Sequence, residues 1–129
     1  MSEKAVIRTE QAPAPFQGAP YSQAIRAGGF VFVAGQVGLK PGATEIEPGT
    51  IEEQTEQILA NLKAILEAAG SGLDRLVKTT VFLQHLDDFQ AMNEVYARHV
   101  GEQPPARATV EVAKLPSGAL VEIEAVALL

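Results

Sequence analysis

The sequence has no cysteine, which excludes disulfides, thiolate metal sites and a cysteine nucleophile. Histidine occurs only at positions 85 and 99. Neither His85 nor His99 sits in an HxxxH spacing or an acidic cluster, so no metal site is expected. The phosphate-cradling patterns GxxxxGK(S/T) and GxGxxG are both absent. None of Ser2, Ser22, Ser71 and Ser117 lies in GxSxG, so a Ser-His-Asp triad is not expected. Positive charge is scarce: Lys plus Arg is 10 against 16 for Asp plus Glu, a net charge of −6. Such a surface repels phosphate backbones, so no nucleic-acid partner is expected. No apolar run approaches the roughly 18 residues of a membrane span. Met1 to Gln11 alternates charged and apolar residues without an apolar core, so a cytoplasmic location is expected rather than secretion.

What is present is one domain's worth of chain, residues 1–129. A chain of this size buries about two-thirds of its unfolded surface and needs no covalent staple. Ser22 to Ala27, Gly28-Gly29 and Phe30 to Ala34 read as a β-hairpin, the glycines supplying the positive φ of a two-residue turn. Thr50 and Glu53 have the spacing of a capping box. Ile51, Thr55, Ile58, Leu59, Leu62, Ile65, Leu66 and Ala69 then repeat at three or four residues, the stripe of an amphipathic helix that Gly70 ends. Leu76 to Leu83 reads as a strand. Asp87 or Asp88 is placed to cap a second helix with Phe89, Met92, Val95, Tyr96 and Val100 on its buried stripe. Arg107 to Ala113 and Leu120 to Leu128 read as strands joined in a second hairpin.

The order β-β-α-β-α-β-β makes the fold class α+β, with two helices on one face of a mixed sheet. Phe30 to Ala34 and Val77 to Leu83 are apolar on both sides, as in sheets covered on both faces. Two helices cover one face only. The other face is therefore expected to meet another copy of the chain.

Few residues remain to carry chemistry. Arg107 opens a strand behind Pro104-Pro105, where a guanidinium held rigid could grip a planar carboxylate through two parallel hydrogen bonds. A buried salt bridge to Glu111, Glu122 or Glu124 explains it equally well. Glu122 and Glu124 share one face of a strand with few other polar groups. They fit a solvent-facing edge, or one faces a pocket and orients a water, with burial raising its pKa. Tyr21 reads as a packing residue with its hydroxyl tied to the backbone. Asn93 lies mid-helix, where asparagine is a poor helix former, which suggests a partner for its amide.

Pro105-Ala106-Arg107-Ala108-Thr109-Val110-Glu111-Val112-Ala113-Lys114-Leu115-Pro116, followed by Leu120-Val121-Glu122-Ile123-Glu124-Ala125, resembles the signature of the RidA (YjgF) family. Ala19-Pro20-Tyr21-Ser22-Gln23-Ala24, Ala34-Gly35-Gln36, Val77-Lys78-Thr79-Thr80-Val81-Phe82-Leu83 and Asp88-Phe89 with Met92-Asn93 and Tyr96 agree in order and spacing. The resemblance implies a chorismate-mutase-like homotrimer with ligand pockets between subunits. It implies cofactor-free hydrolysis of 2-imino acids, or their enamine tautomers, to 2-keto acids and ammonia. Carried over, Arg107 would bind the substrate carboxylate and Glu122 would activate the attacking water. Tyr21, Ala34 and Asn93 would line the pocket, Gly35 would admit the ligand close to the backbone, and Thr109 would offer its backbone N–H and C=O. Ala34 stands where many members have serine, Thr109 where many have cysteine, and Ala19 where glycine is common. These departures bear on substrate preference. A non-catalytic trimer that binds small carboxylates, a hydrolase with a different substrate, and an RNA-cleaving protein are the competing readings; the charge of −6 weighs against the last.

Overall fold

The computed structural model describes residues 3–129. Met1 and Ser2, read above as the start of an alternating stretch, lie outside the described residues. In chain order the elements are β1 (Ala5–Ile7), β2 (Ala24–Ala27), β3 (Phe30–Gln36), α1 (Ile51–Ala68), β4 (Leu76–Leu83), α2 (Phe89–Val100), β5 (Ala106–Glu111) and β6 (Val121–Leu128). The expected α+β class holds: six strands form one mixed sheet with two helices against it. β1 went unpredicted, being only three residues long and held by its antiparallel pairing to β2.

Local chemistry sets the corners. Gly28 and Gly29 take φ of 59° and 84°, the mirror-image turn that suits strand twist, and β2 pairs with β3 from Ala27↔Phe30 to Ala24↔Val33. The Thr50 hydroxyl accepts from the Glu53 N–H at 3.1 Å while the Glu53 carboxylate accepts from the Thr50 N–H at 3.0 Å, so the capping box opens α1. At the other end Ser71 N–H reaches Leu66 O at 2.8 Å and Gly70 N–H reaches Glu67 O at 3.0 Å, closing the helix around Gly70. The start of α2 differs from expectation. Asp88 occupies the N-cap but makes no side-chain capping bond; a tight turn over Leu86–Asp88 leads into the helix instead.

The second expected hairpin does not form. The strand order is β1-β2-β3-β6-β4-β5, so β6 lies between β3 and β4, antiparallel to both, while β5 runs parallel to β4 on the edge. The reason is burial. Val121, Ile123, Ala125 and Ala127 of β6 are all buried under the helices and require a central position. The outward residues of β5, Ala106, Ala108 and Val110, are exposed and suit an edge. Helix α2 supplies the crossover that a parallel β4–β5 pair needs.

One face of the sheet packs on the helices: Val31, Val33, Val81, Leu83 and the inward residues of β6 meet Ile58, Leu62, Ile65, Leu66, Met92 and Tyr96 in one core. The other face has no covering layer among the described residues. Phe30, Phe32, Val110 and Leu128 lie there, with Phe32 46% exposed and the Phe30 and Phe32 rings 6.2 Å apart. A contiguous apolar face of this kind marks an interaction surface.

Candidate active site

Glu122 sits on β6 opposite Phe82 of β4, on the uncovered face, and not on a sheet edge as one reading of the sequence had it. It is half-buried in the wall of a cavity of about 430 Å³, shared with Tyr21, Ala34, Gly35, Val37 and Pro116. Burial, and secondarily the like charge of Glu124 two residues on, pushes its carboxyl above the ordinary carboxylate range. Gly35 makes room for this carboxylate, since a Cβ at position 35 would overlap Glu122 Oε2. Ala34 lines the same cavity. Tyr21 projects from the segment before β2, and its hydroxyl accepts the Phe16 N–H at 2.6 Å, fixing one lip of the cavity. A larger cavity of about 750 Å³ adjoins Tyr21 but does not include Glu122.

The spatial relation gives a direct test. Gly35→Ala forces the Glu122 side chain aside without any backbone penalty, because Gly35 does not have positive φ. Any turnover at this carboxylate should fall about tenfold while Tm stays within a few degrees of the parent. Steady-state kinetics beside a thermal melt would show it; full activity would mean that the carboxylate can work from elsewhere.

Arg107 lies on the opposite side of the sheet. It pairs with Thr79, whose side chain is buried on the helix side and whose hydroxyl meets the Tyr96 hydroxyl at 2.6 Å. The guanidinium lies 4.8 Å from the Tyr96 ring centroid and 5.5 Å from that of Phe89, stacked on α2 through cation–π contacts. Among the described residues no carboxylate pairs with it, so the salt bridges to Glu111, Glu122 or Glu124 are not made. Glu111 instead accepts the Leu86 N–H at 2.8 Å. Thr109 shares the Arg107 face of β5, on the edge strand. Asn93 lies on the same helical stripe as Phe89 and Tyr96. Its Oδ1 is buried and has no hydrogen-bond partner among the described residues, so the partner suggested for its amide is not supplied to that oxygen by this chain.

The candidate residues thus fall into two half-sites. One holds Glu122, Tyr21, Ala34 and Gly35; the other holds Arg107, Thr109 and Asn93 with the Phe89–Tyr96 platform. The sheet separates them, and a single chain does not bring them together. Of the two histidines, His99 pairs with Glu56 of α1 at 2.5 Å. Among the described residues no group of three His, Asp or Glu is arranged to hold a metal ion. Nor is any helix there long and apolar enough to cross a membrane. Sequence reasoning missed the cavity's lips, Phe16-Gln17 and Pro116. The only signal for them was a pair of turns of similar composition, Phe16-Gln17-Gly18-Ala19 and Pro116-Ser117-Gly118-Ala119.

An α+β sheet covered on one face, with a carboxylate half-site on its bare side and a stacked guanidinium on the other, defines a class of small protein whose site is split. The family model described as Endoribonuclease L-PSP matches residues 9–129, and the chain belongs to that family, the RidA (YjgF) family. It is 55% identical over 124 residues to a RutC family protein of Pyrococcus horikoshii, covering 96% of this chain and 97% of that one. It is 45% identical to the 2-iminobutanoate/2-iminopropanoate deaminase of Mus musculus, covering 95% and 89% respectively. The solved structure of TdcF from E. coli with bound serine superposes with a TM-score of 0.88 at 38% identity, covering 97% of this chain and 98% of that one.

Proposed function

We propose that this protein is a cytoplasmic, cofactor-independent deaminase that hydrolyses 2-imino acids, such as 2-iminobutanoate and the imine tautomer of 2-aminoacrylate, to 2-keto acids and ammonia. The working unit is a homotrimer, its sites lying where the Arg107 half-site of one copy meets the Glu122 half-site of the next. The observation that carries this reading is the division itself. A free, aromatic-stacked guanidinium and a half-buried carboxyl occupy opposite faces of one sheet, and an apolar face beside the carboxyl is left for a second copy. The mouse relative named as a deaminase and the TdcF relative with bound serine support a small ligand bearing a carboxylate.

The chemistry follows from these parts. Arg107 holds the substrate carboxylate by two parallel hydrogen bonds and so sets the angle of the adjacent C=N carbon. Ionised Glu122 takes a proton from water as its oxygen bonds to that carbon and the C=N electron pair moves to nitrogen. Protonated Glu122 then gives that proton to nitrogen, and the re-ionised carboxylate takes the proton of the new hydroxyl as C=O forms and the C–N bond breaks, releasing ammonia and the keto acid. An iminium carbon is already electrophilic, so orientation and one general base suffice. The family description names an endoribonuclease, but a chain of net charge −6 is poorly suited to a polyanion.

The test is release of ammonia and 2-keto acid from 2-iminobutanoate generated in the assay, at a rate above the spontaneous one, by a protein whose solution mass is three chains. Equilibrium binding of a 2-keto acid without turnover would instead favour a carboxylate-binding module. Absence of both would overturn the reading.

A further inference from the structure

The lip of the Glu122 cavity holds a residue in an unusual backbone state. Gln17 has φ 53° and ψ 32°, the left-handed region, and it is one of only two non-glycine residues with positive φ among those described. Left-handed geometry is disfavoured for a side-chain-bearing residue relative to glycine, and glutamine has no local hydrogen bond that eases it as asparagine does. The turn is held without any help from the glutamine side chain. Gly18 N–H donates to Pro15 O at 3.2 Å, Ala19 N–H to Phe16 O at 3.0 Å, and Phe16 N–H to the Tyr21 hydroxyl at 2.6 Å. The Gln17 amide forms no hydrogen bond among the described residues, is exposed, and lines the same cavity as Glu122. Ser117, the other residue in this conformation, does not line that cavity. The remaining wall offers little polarity: beside Glu122 and Tyr21 stand Phe16, Ala19, Ala34, Val37 and Pro116.

Resting on the deaminase reading, we infer that Gln17 is a specificity-determining residue whose amide recognises the far end of the substrate side chain. The preferred 2-imino acids then carry a hydrogen-bonding terminus, such as an amide or hydroxyl, rather than an alkyl one. An amide offers one acceptor and two donors, so it pairs with either group. An alkyl terminus of equal length leaves that amide competing with water and gains nothing from it. Residues held in such conformations cluster at ligand sites, and this one stands on the cavity wall.

The experiment compares two 2-imino acids of similar length, made in the assay by an amino-acid oxidase from glutamine and from norleucine, with wild type, Gln17→Gly and Gln17→Leu. Glycine relieves the left-handed backbone, so the turn is not at risk. The expected result is a higher kcat/KM for the glutamine-derived imine in wild type. That ratio should fall roughly three- to tenfold in Gln17→Gly, the worth of one neutral hydrogen bond, and at least as far in Gln17→Leu. Equal effects on both substrates, or no wild-type preference, would overturn the assignment while leaving the deaminase reading intact. Failure of wild type to hydrolyse any 2-imino acid would overturn both.

Discussion

Replacing Glu122 by glutamine is expected to lower kcat by 10²–10⁴, the range typical of losing a positioned general base, while leaving 2-keto acid affinity near that of wild type. The wild-type rate should rise with pH through the titration of Glu122, which lies above the ordinary carboxylate range because burial first, and Glu124 second, disfavour the ionised form. Glu122→Gln should remove that acidic limb. The same substitution should stabilise the fold at neutral pH. A carboxyl whose pKa is raised in the folded state contributes stability that is complete below its unfolded value and is lost as pH rises through the folded value. At pH 7 the wild type therefore carries the penalty of an ionised, half-buried group that glutamine lacks. Thermal melts should give Glu122→Gln the higher Tm at pH 7, with the gap closing near pH 4. A variant that is less stable at pH 7 would show that the native carboxylate is solvated or paired.

Arg107→Ala is expected to reduce kcat/KM by about ten- to a hundredfold, equivalent to roughly 1.5–3 kcal/mol for a charge-assisted contact. Arg107→Lys should recover only part of this. Lysine keeps the charge but loses the two-pronged donor geometry and the flat stacking on Tyr96 and Phe89. Because Arg107 pairs with no carboxylate among the described residues, its removal strands no buried partner, and Tm should change little. Kinetics on the alanine and lysine variants, with melts alongside, would check this. Wild-type activity in Arg107→Ala would refute carboxylate capture by this residue.

The elements whose signals are local were legible in the sequence. The Gly28-Gly29 hairpin, the Thr50–Glu53 cap, the stripe of α1 and its Gly70 stop are each written within a few residues of where they act. The α+β class followed from element order. What could not be read was non-local strand pairing. Residues 107–113 and 120–128 looked like a hairpin because adjacency and a Pro-Gly turn are the only local cues. The decision to insert β6 between β3 and β4 is made by burial of Val121, Ile123, Ala125 and Ala127, which depends on the finished core. Alternation along a strand puts Arg107 and Thr109 on one face, and Glu122 with Glu124 on one face. It could not say that these are opposite faces, because that relation passes through β4. The Gln17 lip had no signal beyond the likeness of its turn to Pro116-Ser117-Gly118-Ala119, since nothing else in residues 11–20 marks a left-handed glutamine.

The insertion of β6 also dictates when the chain can fold. Among the described residues, the β1–β3 segment and the β4–β5 segment share no ladder except through residues 121–128. On the ribosome, both segments emerge with an open, hydrogen-bonding edge and must wait for the carboxy-terminal strand to arrive and seal them. Non-local closure of this sort is slow and leaves edges available to aggregate. Nascent chains halted before position 121 should therefore be the species that chaperones hold.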